Sequence, residues 1–165
     1  MGVYPFELTP VDGPYLEQTW TFERPELKAL LDYWMGRRGD RSCPRWRDIE
    51  LPVIYQHAPH IVVRDAIDGG DDFVNRFWGT QITEWLRFDG TARRLSEYFP
   101  KAGLDAILTA HRLALFGDTP VRRWGTSVYP QRDYVAFETI DLPLENDAGE
   151  RAHILSMSRY RTINR

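Results

Sequence analysis

The 165 residues carry 21 basic and 24 acidic side chains, a formal net charge of −3, and are 42% hydrophobic and 13% aromatic. A chain of that length buries a single core without disulfides or metals, and its mildly acidic balance argues against a protein that coats nucleic acid or an anionic membrane. The lone Cys43 excludes an intramolecular disulfide, no basic residue precedes Arg24, and no apolar run approaches the ~18 residues of a membrane span, so the expected location is cytoplasmic.

Residues 1–24 hold Pro5, Pro10, Gly13 and Pro14 among Tyr4, Phe6, Tyr15, Trp20 and Phe22 without a steady period, and read as an irregular arm ahead of one domain over 25–165. After Pro25 the apolar positions Leu27, Leu30, Leu31 and Trp34 fall at i, i+3, i+4 and i+7, one face of an amphipathic helix ending near Gly36 or Gly39. Such a face covers the domain's own core, pairs with a second copy, or does both. The stretch 37–48 then sets Arg37, Arg38, Arg41, Arg45 and Arg47 against Asp40 and Asp48. It lacks a phosphate-cradling glycine pattern, so arginines paired with nearby carboxylates is the better reading than an anion site.

The β-branched run His60–Ile67, the turn 68–71 and the run Phe73–Trp78 predict a hairpin. Short helical pieces follow within 80–99, and a longer helix spans Gly103–Phe116 with Leu104, Leu108, His111 and Leu115 along one stripe. Three strand-like runs, Val121–Tyr129, Tyr134–Leu144 and Ala152–Arg161, are separated by polar turns and pair antiparallel. Helices inserted between a hairpin and a meander cover one face of one antiparallel sheet, an α+β architecture.

Several local motifs carry a resemblance. Tyr33-Trp34 precedes the arginine-rich loop with Pro44 and Asp48-Ile49; Arg76 is followed by two apolar residues and Gly79-Thr80; Asp89, Thr91 and Arg93 form a turn motif; and Leu142-Pro143-Leu144 leads to Asp147-x-Gly149. In their order these resemble the stand-alone bacterial PAS-5-like family of PAS domains over roughly residues 27–161. The chain departs from that pattern at Ala92 and Arg87, where glycine is usual, and at Trp46. The resemblance implies a five-stranded antiparallel sheet with helices on one face and an N-terminal amphipathic helix. It also implies a non-catalytic sensory or regulatory role through small-ligand binding, protein interaction or both. The competing reading is a small α+β enzyme of the hot-dog or cone-shaped type with an apolar pocket; no nucleophile or metal motif supports catalysis.

The expected ligand-binding residues are Arg76, Trp78, Trp85, His111, Tyr129 and Phe137. Arg76, on the strand face of Val74 and Trp78, either pairs internally with Glu138 or Asp141 or awaits a small anionic ligand. His111 stands where haem-binding relatives place an axial histidine, although a satisfied core histidine is the simpler reading. Photoreceptor-type flavin needs a reactive cysteine on the helix after the second strand, and Cys43 lies well before it. His57 and His60 lack the further ligands of a zinc site. The resemblance also implies a homodimer through Leu27, Leu30, Leu31 and Trp34 and the preceding arm, and an unidentified regulatory protein partner.

Overall fold

The computed structural model describes residues 22–117 and 119–163, together with the backbone course of Glu7–Pro10. In chain order these give β1 (Glu7–Pro10), α1 (Pro25–Arg38), β2 (Ile61–Ile67), β3 (Asp72–Trp78), α2 (Thr80–Leu86), α3 (Leu95–Tyr98), α4 (Lys101–Phe116), β4 (Val121–Thr126), β5 (Val135–Glu145) and β6 (Arg151–Thr162). The strands form one antiparallel sheet in the order β1-β4-β5-β6-β2-β3. The five expected strands are all present. The sixth, β1, lies in the arm read as irregular and pairs Glu7–Pro10 with Trp124–Val121. Four residues ending in proline show no alternation to read, and the edge position is where a sheet tolerates proline. Tyr4, Phe6, Tyr15 and Trp20 of that arm lie outside the described residues.

Strand alternation divides the sheet into two apolar faces. On one, α1 lays Leu27, Leu30, Leu31 and Trp34 against Ile61 and Val63 of β2, Ile140, Leu142 and Leu144 of β5, and Leu155 and Met157 of β6. On the other, α4 packs Ala106, Ile107, Ala110, Ala114 and Leu115 against Phe73, Val121 and Ile154, while Ile82 and Leu86 of α2 meet Val62 and Trp78. The inserted helices therefore share one face as expected, and the N-terminal helix covers the opposite one. The buried face of α4 runs through Ala106, Ala110, Ala114 and His111, with Leu104 and Leu108 only half-buried at its margin. Small residues there let the helix approach the sheet closely.

The expected dimer face is placed differently. Leu27, Leu30, Leu31 and Trp34 are at most 1% exposed within the single chain. Trp34 Nε1 also donates to the Pro143 carbonyl at 2.8 Å. Each of the four removes enough apolar surface from water to contribute roughly 1.5–3 kcal/mol to the domain itself, so none is left on the surface for a second copy.

Contacts give the motifs their physical basis. Trp34 and the Leu-Pro-Leu segment, far apart in sequence, touch each other. A Cβ at Gly79 would lie 2.3 Å from the Pro59 carbonyl oxygen, so the strand exit admits only glycine. Asp89 accepts hydrogen bonds from the Thr91 backbone N–H at 2.9 Å and hydroxyl at 2.6 Å, closing its turn. Arg87 and Ala92, the two departures, sit at φ +57° and +61°. Glycine is usual at such positions because a Cβ in the left-handed region costs roughly 1–2 kcal/mol.

Three arginines of the loop are paired with carboxylates: Arg41 bonds Asp48, Arg37 reaches Glu50 at 3.1 Å, and Arg47 faces Asp147 at 3.7 Å. The Asp48 carboxylate also accepts the Arg45 backbone N–H at 2.9 Å.

Candidate functional site

Between the sheet and the inserted helices lies a cavity of about 50 Å³. Its floor is the sheet face carrying Val62 and Arg64 of β2, Arg123 of β4, Phe137 and Thr139 of β5, and Ser156, Ser158 and Tyr160 of β6. Trp78, α2 and Ile107 of α4 close one side, and Phe99 with the 127–129 segment closes the other. The rings around it support one another. Trp78 meets Phe88 and Tyr98 edge-on at 6.1 and 6.0 Å, Phe88 stacks on Tyr98 at 4.9 Å, and Phe99 meets Tyr129 at 5.4 Å. These offset and edge geometries are the favourable ones for aromatic pairs.

A buried polar network joins floor residues to Asp141, Asn75 and His111. Asp141, 0% exposed, accepts two hydrogen bonds from Arg123, at 2.6 Å to Oδ2 and 3.0 Å to Oδ1, and one from the Ser156 hydroxyl at 2.7 Å. Burial alone would raise the Asp141 carboxyl; the Arg123 guanidinium, together with His111, outweighs it and holds the group well below the ordinary carboxylate range. Arg64 donates from Nε to Asn75 Oδ1 at 2.8 Å and from Nη1 to His111 Nε2 at 3.1 Å. Asn75 is held in turn through its amide to the Gly90 carbonyl and the Tyr98 hydroxyl, both at 2.8 Å.

An arginine only donates, so His111 Nε2 accepts and the ring proton sits on Nδ1. That nitrogen faces Asp141 Oδ2 at 3.5 Å. Burial pushes the His111 imidazole down to about 4, against the attraction of Asp141. The folded value lies below the unfolded one near 6.5, so the unfolded chain takes the proton first. Stability is intact above pH 6.5 and falls as pH drops towards 4, by about 3 kcal/mol from this residue. The contribution of Asp141 persists down to the ordinary carboxylate range and is lost below it. Urea unfolding of wild type should therefore lose about 3 kcal/mol more than His111→Gln between pH 7 and pH 4; an equal loss in both contradicts this assignment.

Of the six expected ligand-binding residues, Trp78, Tyr129 and Phe137 line the cavity. Trp85 stands one layer out, stacked on the lining Tyr160 at 5.9 Å. His111 is fully buried behind Arg64, with its ring against Phe73 at 5.0 Å. Arg76 is elsewhere: a bulge opposite Val63/Arg64 shifts the register. Arg76 is therefore turned out to an ion pair with Asp65 at 2.8 Å, and Asp65 also meets His153 Nδ1 at 2.8 Å. Neither expected partner of Arg76 is available to it, because Glu138 holds Arg122 and the Glu23 and Arg24 backbone N–H groups, and Asp141 holds Arg123. The inward arginines are Arg64 and Arg123. The signal for Arg64 is an arginine inside the β-branched run IVVRDAI on the face of Val62, read together with His111 on the facing helix.

Haem does not fit these residues. Both ring nitrogens of His111 are directed at protein groups, and about 50 Å³ falls far short of the roughly 300–1,000 Å³ of pockets for larger ligands. A flavin ring system is likewise larger than this space of about 50 Å³. Helix α2 carries no cysteine, and Cys43 is buried in the core on the α1 face of the sheet.

The sequence model of a family described as PAS domain matches residues 22–158. Among solved structures, the fold is similar to one described as the structure of an RNA-binding light-oxygen-voltage receptor, with a TM-score of 0.53 and 15% identity over 95% of this chain and 39% of that one. This chain thus spans well under half of that receptor, and the likeness concerns the fold. No curated protein matches the sequence. The hot-dog or cone-shaped fold of the competing reading is set aside by the family match and by helices lying between the second and third strands of the hairpin-meander order.

Proposed function

The chain belongs to the PAS-domain family, and from that premise we propose that it is a non-catalytic sensory or regulatory domain that admits a small molecule to the cavity between its sheet and helices α2–α4. The observation that carries this reading is the mixed lining. Arg64, Arg123 and the hydroxyl residues Thr139, Ser156 and Ser158 line a space walled by aromatic and aliphatic side chains; Arg123 and these hydroxyls are bonded within the protein, while Arg64 meets only uncharged acceptors, a polar lining that an apolar packing fault would lack. The sheet supplies the route outward. On β5 and β6, Thr139, Asp141, Ser156 and Ser158 lie on the cavity side, and Ile140, Leu142, Leu155 and Met157 alternate with them against α1. A ligand that favours one setting of these strands thereby biases the seating of α1, provided it binds the two settings unequally.

Thermal melts against a panel of small neutral, anionic and cationic compounds test the proposal. A compound at a hundred times its Kd should raise Tm by roughly 5–10 °C, the equivalent of about 2.7 kcal/mol in a chain of this size. Val62→Phe, which fills the cavity from β2, should remove that shift while the far-ultraviolet dichroism stays that of a folded domain. The reading fails if no compound moves Tm, or if Val62→Phe leaves the shift intact.

A further inference from the structure

We infer that the ligand of this cavity is a short-chain monocarboxylate whose carboxylate is bound by Arg64. The inference rests on the cavity reading above and adds the ligand's chemical class. Arg64 is 5% exposed in the middle of β2, yet both of its hydrogen-bond acceptors, Asn75 Oδ1 and the neutral His111 Nε2, are uncharged. Among the described residues it forms no ion pair, and its third nitrogen, Nη2, makes no hydrogen bond. The neighbouring Arg123, 6% exposed, is by contrast held bidentately by Asp141. Asp141 is engaged by Arg123 and Ser156 and makes no ion pair with Arg64.

An arginine cannot shed its proton, and a buried charge without a counter-charge is strongly unfavourable. A charge that the chain does not answer itself is suited to one brought by a ligand. Asn75 and His111 hold the planar fork in place without neutralising it, which leaves it preorganised for a carboxylate. Tyr129 and Tyr160 also line the cavity, and their phenols are protonated at neutral pH, as in any tyrosine; of the lining serines, Ser127 accepts the Tyr129 backbone N–H at 3.2 Å and Ser158 is hydrogen-bonded to Thr139 at 2.7 Å. Val62, Ile82 and Ile107 provide an apolar side for a short chain. The size limit comes from the volume: about 50 Å³ is well below the roughly 300–1,000 Å³ of pockets for larger ligands, so the acid is a short-chain one.

Calorimetric titration of acetate, propionate, pyruvate and lactate, with acetamide, propionamide and inorganic phosphate as comparison arms at fixed ionic strength, tests the class. At least one acid should bind more than tenfold tighter than its amide and than phosphate, and Arg64→Gln should weaken it by at least tenfold while Arg76→Gln changes it less than twofold. The acid-against-amide comparison is made on wild-type protein and does not depend on how Arg64→Gln folds. Equal binding of acid and amide, preference for phosphate, or full acid affinity in Arg64→Gln overturns the carboxylate assignment and leaves the cavity as a site for another ligand. Failure of acids and amides alike, together with a panel that moves no melting curve, overturns the cavity reading as well.

Discussion

Asp141→Asn should destabilise the domain by about 3–5 kcal/mol, a fall in Tm of roughly 6–20 °C for a chain of this length. Asparagine has nearly the same shape as aspartate, so the loss is electrostatic rather than steric. Asp141 is fully buried, and its two oxygens bind Arg123, Ser156 and the His111 side of the network. Removing the charge leaves the Arg123 guanidinium inside the protein opposite a neutral amide, the circumstance in which breaking a buried pair costs far more than the pair contributed. Arg123→Met in the same chain should therefore recover most of the loss, because the uncompensated charge leaves with the side chain. Denaturant unfolding of the two single variants and the double variant measures this coupling. Additive losses would show that Asp141 and Arg123 act independently and that the network is misassigned.

Trp34→Ala should be equally damaging, by about 3–5 kcal/mol, and its loss should not depend on protein concentration. Trp34 is 0% exposed within one chain, packed on β5 and β6, and its indole N–H satisfies the Pro143 carbonyl. Truncation removes that packing and leaves a buried carbonyl without its donor. Trp34→Phe, which keeps most of the ring, should cost the smaller amount of an unmet buried acceptor, about 1–3 kcal/mol. A helix face that served mainly to join two copies would behave otherwise: truncation would shift the monomer–dimer equilibrium and leave the isolated chain as stable as before. Unfolding of Trp34→Ala at two concentrations tenfold apart, alongside sedimentation, separates the two.

Much of the fold is legible in the sequence because its patterns are long and redundant. The hairpin, the order of helices and the closing meander follow from runs of β-branched residues, turn residues and one strong helical stripe, and the observed ends lie within a few residues of those expected. The α1 stripe is legible as buried, yet periodicity does not say which surface buries it; the sheet's own apolar face does, and that face exists only once β2, β5 and β6 are assembled. Strand β1 is illegible because four residues carry no period.

The site divides in the same way. Trp78, Tyr129 and Phe137 reach the cavity because large aromatics at strand ends close a sheet–helix space. Arg76 does not, since strict alternation places it inward and one bulge reverses it. Register over a two-residue period has no tolerance for an inserted residue, and the bulge has no mark in the local sequence. Arg64 and Arg123 take the role expected of Arg76. What identifies them is the pairing across the sheet and to α4, with Arg64 against His111 and Arg123 against Asp141.

The most direct measurement of the central claim is a ¹⁵N NMR titration of the wild-type protein with pyruvate or propionate, following the side-chain N–H groups of Arg64, Arg76, Trp34 and Trp78. A carboxylate in the cavity should shift Arg64 Nε–H and Trp78 Nε1–H along one saturating curve while Arg76 Nε–H, across the sheet with Asp65, stays in place. Saturable movement of Arg76 without Arg64, or no saturable movement of either, would contradict it.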